Sequence, residues 1–296
     1  MSGDDASIPK VPAANVKSSR YILEGYDLYV LLIHDQRQQV KYISCDAEDM
    51  EEKSKSRINN DLERLKEILK EKFKPEIKEI GVNDQMMIPC FEKELQNVSG
   101  AISTCPNVGA FLCVFLGFGG SEYVYLGREK EEKIQKMEFA AVVKHFNGEN
   151  CKSLATKPKM FFVQAETTSP ALPRSGQRSG REEEDGLIRI PIQADIFVYF
   201  SSALAGEFWN EVPVTDTDKD NVMSRFVRLL CCELKELKPS SSIEIQKMVI
   251  RINLQIQEAK FICKPPEGVD LLPLVTSQLT KDLFLADFME NPKANV

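Results

Sequence analysis

The hydrophobic residues of this chain cluster in short, nearly continuous runs. Four of these runs hold almost no polar side chains, and they lie at residues 27–34, 109–116, 159–165 and 194–201. A continuous apolar run of about 4–8 residues is typical of a strand that is buried on both faces of a sheet. The pattern therefore predicts four central strands.

Other apolar residues recur at helical spacing. An amphipathic helix is predicted over about residues 47–73, where one face carries Leu62, Leu65, Ile68 and Leu69. The same spacing predicts shorter helices at about residues 84–97, 136–147, 221–237 and 242–259. Ser241 precedes Glu244 by three residues, which is the pattern of a capping box at the start of the last helix. Strands that alternate with helices indicate an α/β fold with a mainly parallel sheet.

Two stretches of the chain differ from the rest in composition. Residues 1–20 are mostly polar and small, and residues 167–189 are almost free of apolar side chains. Such compositions bury too little apolar surface to fold, so we expect a disordered leader and an exposed linker. The linker then divides a single domain into two parts, at residues 21–166 and 190–296.

The composition excludes several classes of protein. The formal net charge of -7 argues against nucleic-acid binding, which relies on clustered Lys and Arg. The chain has no apolar run long enough to span a bilayer and no signal-peptide core near Met1, so we expect a cytoplasmic protein. Its eight cysteines include no C-x-x-C pair, and Cys113, Cys231 and Cys232 lie in apolar runs, which predicts reduced and buried thiols.

Neither a metal nor an organic cofactor is expected. No Cys, His or Asp cluster has the spacing of metal ligands. Residues 117–120, Gly-Phe-Gly-Gly, follow a predicted strand but lack the Gly-Lys-Ser/Thr ending of a phosphate-binding loop. A tight turn is the simpler interpretation of these glycines.

Four segments together resemble the caspase family, in the order and with the spacing found there. They are residues 111–119, 157–166, 190–202 and 272–284. The first resembles the strand that delivers a catalytic Ser-His-Gly, and the second resembles the Lys-Pro-Lys strand before Gln-Ala-Cys-Arg-Gly. The resemblance implies a caspase-like three-layer sandwich, with a mainly parallel six-stranded sheet and helices on both faces.

The chain departs from the family at the positions that carry the chemistry. Phe118 stands where the resemblance places the catalytic His, and Glu166 stands where it places the catalytic Cys. Thr167 and Thr168 replace the Arg-Gly that follows. A benzyl ring carries no exchangeable proton, and a carboxylate is a poor nucleophile toward an amide. The resemblance therefore predicts a pseudoprotease, not an enzyme.

Substrate recognition is also expected to be impaired. In the family, two arginines and the Gln before the nucleophile hold an Asp side chain of the substrate. Gln164 is present, and Arg57 is a candidate for the first arginine. The second falls in a Ser-Trp-Arg region that here contains Trp209 and Asn210, and Asn cannot form a bidentate charged pair with a carboxylate. These four residues outline a remnant groove.

The last segment is predicted to be a dimer seam, because the family pairs its final strand across a two-fold axis. Its members are Leu272, Leu274, Thr276, Leu279 and Leu283. The resemblance thus implies a protein that pairs with an active caspase, or with itself, and modulates caspase activity in apoptosis or related signalling. No nucleic-acid or membrane partner is expected.

Three alternatives stay open. The remnant groove could hold a peptide or protein in a role unrelated to caspase control. Catalysis could have moved to another dyad, for which the candidates are His34, His145 and Cys151. The acidic linker run ending at Asp185 and Gly186 is either a solubilising stretch or a site at which an active caspase cuts.

Overall fold

The computed structural model describes residues 18–37, 48–119, 123–128, 134–167, 194–204, 223–260 and 273–289. Within these residues, eight strands form a six-stranded sheet and a separate two-stranded sheet. The strands are β1 (Asp27–Asp35), β2 (Glu76–Val82), β3 (Val108–Phe118), β4 (Tyr123–Arg128), β5 (Ile134–Glu138), β6 (Lys159–Thr167), β7 (Ile196–Leu204) and β8 (Leu274–Ser277). The leader at 1–17 and most of the predicted linker lie outside the described residues.

The large sheet has the strand order β2-β1-β3-β6-β7-β8. Its first five strands pair in parallel, and β8 pairs antiparallel with β7 at the edge. All eleven residues of β3 are buried, as expected for a central strand that has a layer on each face. The predicted mainly parallel six-stranded sheet is confirmed.

In the described part of the chain, five α-helices cover this sheet. They are α1 (Glu48–Phe73), α2 (Ile88–Thr104), α3 (Phe139–His145), α4 (Arg225–Glu236) and α5 (Ile245–Lys260). Buried residues of α1, α4 and α5 pack on one face, and those of α2 and α3 pack on the other. The three-layer sandwich is therefore also confirmed.

Several predicted boundaries are wrong for identifiable reasons. The helix predicted at 136–147 begins as strand β5, which pairs antiparallel with β4 before α3 starts at Phe139. Strand β2 was not predicted, because only Ile80 and Val82 of this edge strand are buried and it contains no apolar run. Helix α2 starts later than predicted, at Ile88, with a proline in its first turn.

Two predictions about individual side chains are also wrong. Helix α5 begins at Ile245, so Ser241 is too far upstream to cap it, and its Oγ accepts a hydrogen bond from the Lys238 backbone N–H instead. Cys113 and Cys231 are buried as free thiols, whereas Cys232 and Cys90 are exposed. Cys232 follows Cys231 directly on α4, and neighbouring helical residues point in different directions.

Candidate functional site

The parallel register of β3 and β6 brings the two degenerate positions together. Phe118 is the direct neighbour of Glu166, at the carboxyl ends of the two strands. Both residues are buried. In open α/β sheets the crevice beyond the carboxyl ends of the strands is where ligands bind. The positions that the resemblance assigns to proton carrier and nucleophile thus lie side by side where a functional site is expected.

Glu166 forms a buried ion pair with Arg57 of α1. The guanidinium Nη1 donates a hydrogen bond of 2.6 Å to the Glu166 carboxylate Oε1. Each of the two side chains is only 3% exposed. Phe162 of β6 packs in one core cluster with the buried residues of α1. Alternate residues of a strand share a face, so Glu166 points toward this helix as well. The candidate substrate arginine is therefore bound by the chain's own carboxylate.

A second carboxyl group lies close to this pair. Asp61 follows Arg57 by one turn of α1 and accepts a hydrogen bond of 2.8 Å from the Ser224 backbone N–H, just before α4. Burial raises the pKa of Asp61 to about 7, and the negative charge of Glu166 also raises it, while Ser224 and Arg57 lower it. The two acids share the field of one guanidinium, and the raised pKa of Asp61 lets this group carry a proton below neutral pH.

Gln164 lies on the same face of β6, two residues before Glu166. It is buried, and its Oε1 has no hydrogen-bond partner among the described residues. The Arg57 Nε is likewise buried without a partner in that part of the chain. Two buried polar atoms on this face, one donor and one acceptor, are therefore left unsatisfied by their described neighbours.

Phe118 is packed into the protein interior. Its ring belongs to the core cluster on the α1 face. The guanidinium carbon of Arg37 lies 5.3 Å from the ring centroid, within the range of a cation–π contact. Arg37 is itself buried, pairs with Asp35 and donates a 2.8 Å hydrogen bond to the Leu126 carbonyl. The ring thus fills space between a strand end and a second buried ion pair.

Within the described residues, neither histidine is hydrogen-bonded to Cys151. His34 is buried at the end of β1, and burial lowers its pKa. Burial also lowers the pKa of His145, at the end of α3. The buried Cys151 thiol contacts the Ser99 carbonyl oxygen, at 3.8 Å from Sγ. The geometry gives Cys151 a backbone partner rather than an imidazole.

Part of the predicted dimer seam faces outward. Leu274 of β8 is 38% exposed, and its neighbour Val275 is 36% exposed. Thr276 is half-buried, and Leu279 is half-buried against the core. Leu283, by contrast, is fully buried in the core, so its side chain is not available to a partner and belongs to the protomer's interior.

Several predicted residues lie outside the described part of the chain. These are Trp209 and Asn210 of the groove, Leu272 of the seam, and the cleavage-site candidates Asp185 and Gly186. The structure therefore brings together Arg57, Gln164, Glu166 and Phe118 from the predicted set. Sequence reasoning missed Asp61, although its position one helical turn after Arg57 places both on one helix face.

The described part of the chain contains no group of three or more His, Cys, Asp or Glu side chains that could hold a metal ion. None of the helices in that part is long and apolar enough to cross a bilayer.

Comparison with known proteins points to one family. A family model described as "Caspase domain" matches residues 45–284. Caspase-3 of Mus musculus is 27% identical over 178 residues, which cover 59% of this chain and 58% of that protein. Caspase-6 of Gallus gallus is 28% identical over 193 residues, covering 60% of this chain and 58% of that protein. The matched stretch thus spans less than two thirds of each relative.

Solved structures agree on the fold. Caspase-1 from Spodoptera frugiperda matches with a TM-score of 0.60 and 16% identity, covering 93% of this chain and 95% of that one. A structure titled pro-sf-caspase-1 matches with a TM-score of 0.60 and 18% identity, covering 90% and 98%. At such low identity the likeness concerns the architecture alone.

Proposed function

This chain belongs to the caspase family, and from that premise we propose that it is a caspase homologue without peptidase activity, which acts by binding. The observation that carries the proposal is the adjacent placement of Phe118 and Glu166 at the strand ends, with the Glu166 carboxylate paired to Arg57. The proposed role is to dimerise with an active caspase in the cytoplasm and to modulate its activity in apoptosis or related signalling.

The chemistry of the two side chains supports the absence of catalysis. Phe118 can neither accept nor donate a proton, so the position that corresponds to the catalytic His supplies no general base. Glu166 offers no thiolate, and its carboxylate would oppose the oxyanion that forms during amide hydrolysis. Loss of one member of a nucleophile–base unit costs on the order of 10^4- to 10^6-fold in rate, and both members are missing here.

The exposed edge of the large sheet supports a binding role. β8 is the last strand in the sheet order, and no strand pairs with its outer edge within the described residues. An edge strand presents unpaired N–H and C=O groups, which invite pairing with another chain. Leu274 and Val275 add apolar side chains to this edge. A two-fold seam of this kind accepts a second copy or a related chain.

The test is to mix the purified protein with an active caspase from the organism that produces it. Size-exclusion chromatography should show a mixed dimer, and the turnover of an aspartyl reporter should differ between the complex and the caspase alone. If the two proteins elute separately and turnover is unchanged at every mixing ratio, the proposed function is wrong. A shift of this protein alone to twice its mass identifies the homodimer.

A second candidate function is peptide or protein binding in the remnant groove, without a caspase partner. It is favoured by the unsatisfied Gln164 Oε1 and Arg57 Nε beneath the strand ends. Binding of peptides by the monomer, with no mixed dimer in the chromatography above, would favour this candidate. Cutting between Asp185 and Gly186 by an active caspase stays a separate prediction, checked by mass spectrometry of the digest.

A further inference from the structure

The Arg57–Glu166 pair joins parts of the fold that are far apart in sequence. Arg57 lies on α1, and Glu166 lies 109 residues later at the end of β6. Both side chains are 3% exposed. A buried charge without a partner is strongly unfavourable. Helix α1 can therefore hold Arg57 at this depth only because a negative charge reaches the guanidinium.

The Arg57 guanidinium has a donor that its contact with Glu166 leaves unused. A guanidinium carries five N–H donors, and it matches a carboxylate best when two of them point at its two oxygens. Here Nη1 donates to Glu166 Oε1, while Nε has no partner among the described residues. The buried Gln164 Oε1, on the same face of β6, is also unsatisfied there. Nε is therefore a donor that a carboxylate could also use, whereas the Gln164 oxygen is an acceptor and gives a carboxylate no hydrogen bond.

We propose that Arg57 forms a carboxylate receptor at the carboxyl end of β6, and that Glu166 is its built-in ligand. Because Glu166 occupies Arg57 and both side chains are only 3% exposed, an acidic side chain from outside does not reach the guanidinium. Glu166 is thus a specificity-determining residue that excludes other carboxylates from Arg57. The inference goes beyond the proposed pairing role, since it involves no second protein.

The proposal identifies the ligand that fits once Glu166 is shortened. Glu166→Ala keeps Cβ and removes the Cγ methylene together with the carboxylate. The removed atoms have the size and charge of acetate. The vacated site should therefore bind acetate or formate. It should not bind benzoate, which is too large, or acetamide, which has the shape of acetate but no charge.

The experiment measures the midpoint of thermal unfolding for the wild type, Glu166→Ala and Glu166→Gln. Each is heated in sodium acetate, acetamide and sodium chloride, with the two salts at equal ionic strength. Glu166→Ala should unfold roughly 6 to 15 °C below the wild type in chloride. Acetate should raise that midpoint in a saturable way. The wild type and Glu166→Gln, whose pockets stay filled, should respond to acetate no more than to chloride.

A further variant ties the response to the arginine. In the double variant Arg57→Gln, Glu166→Ala the acetate response should disappear. If Glu166→Ala does not fold in chloride, it should refold in acetate, and failure in both salts would refute the receptor. The proposal is also overturned if all variants respond equally to acetate, or if Glu166→Ala does not respond. Each of these outcomes is independent of whether the protein pairs with a caspase.

Discussion

Two regions of the large sheet differ in the exposure of their side chains: the strand-end crevice, formed at Phe118 and Glu166, and the outer edge of β8. At the crevice the polar side chains are buried, and Arg57 is paired to Glu166 within the chain. At the edge, Leu274 and Val275 face outward, and no strand covers β8 within the described residues. The side chains of the first region are buried, and those of the second are exposed. The contrast is one of accessibility, since the charges at the strand ends are paired within the chain while the edge strand presents apolar side chains outward.

The largest effect is expected from breaking the closed region. Arg57→Ala leaves the Glu166 charge buried without its partner, and this should lower the free energy of unfolding by about 3–5 kcal/mol. Arg64→Ala is the matched control, because Arg64 lies on the same helix in an exposed pair with Glu67. Urea unfolding should show little change for this control. Equal losses for both variants would mean that the buried pair has no special role.

The second effect concerns pH and Asp61. Burial raises the pKa of Asp61 to about 7, so the folded chain holds a proton that the unfolded chain releases near 3.8. This group therefore stabilises the fold fully below pH 4, and that contribution falls as pH rises toward 7, by up to about 1.4 kcal/mol per pH unit. The free energy of unfolding, measured with urea at several pH values, should fall less steeply between pH 5 and pH 7 in Asp61→Asn than in the wild type. An unchanged dependence of this free energy on pH would refute the assignment.

The third effect concerns the open region. Leu274→Asp places a charge on the exposed β8 edge, where a partner strand would desolvate it. The dissociation constant of the proposed dimer, whether with a caspase or with a second copy, should rise at least about 100-fold, while the protomer stays folded. Leu254→Asp is the control, because Leu254 is an exposed leucine on α5 rather than on the edge strand. Analytical ultracentrifugation measures both. Equal weakening by the control would place the interface elsewhere.

The two regions also differ in how far the sequence predicts them. The central strands β1 and β3 were predicted because burial on both faces imposes a continuous apolar run. Strand β2 was not, since an edge strand needs only part of that pattern. The exposed Leu274 was predicted as a seam residue, but Leu283 nearby is core, and a local apolar pattern does not distinguish the two.

For the strand-end crevice, the sequence predicts which residues stand there but not the contacts that they make. Phe118 and Glu166 were identified as the residues at the positions of the catalytic His and Cys, because the resemblance fixes their places in the strands. The ion pair with Arg57 was not predicted, since it depends on how α1 crosses the sheet. Such contacts come from tertiary packing between segments 109 residues apart, which no local sequence pattern encodes.

The most direct test is the hydrolysis of an aspartyl reporter peptide by the purified protein, compared with Phe118→His and Glu166→Cys variants. We expect no turnover above that of buffer for the unaltered chain, at any protein concentration at which it stays folded. Turnover by the unaltered chain that is lost when Phe118 or Glu166 is replaced would contradict the account.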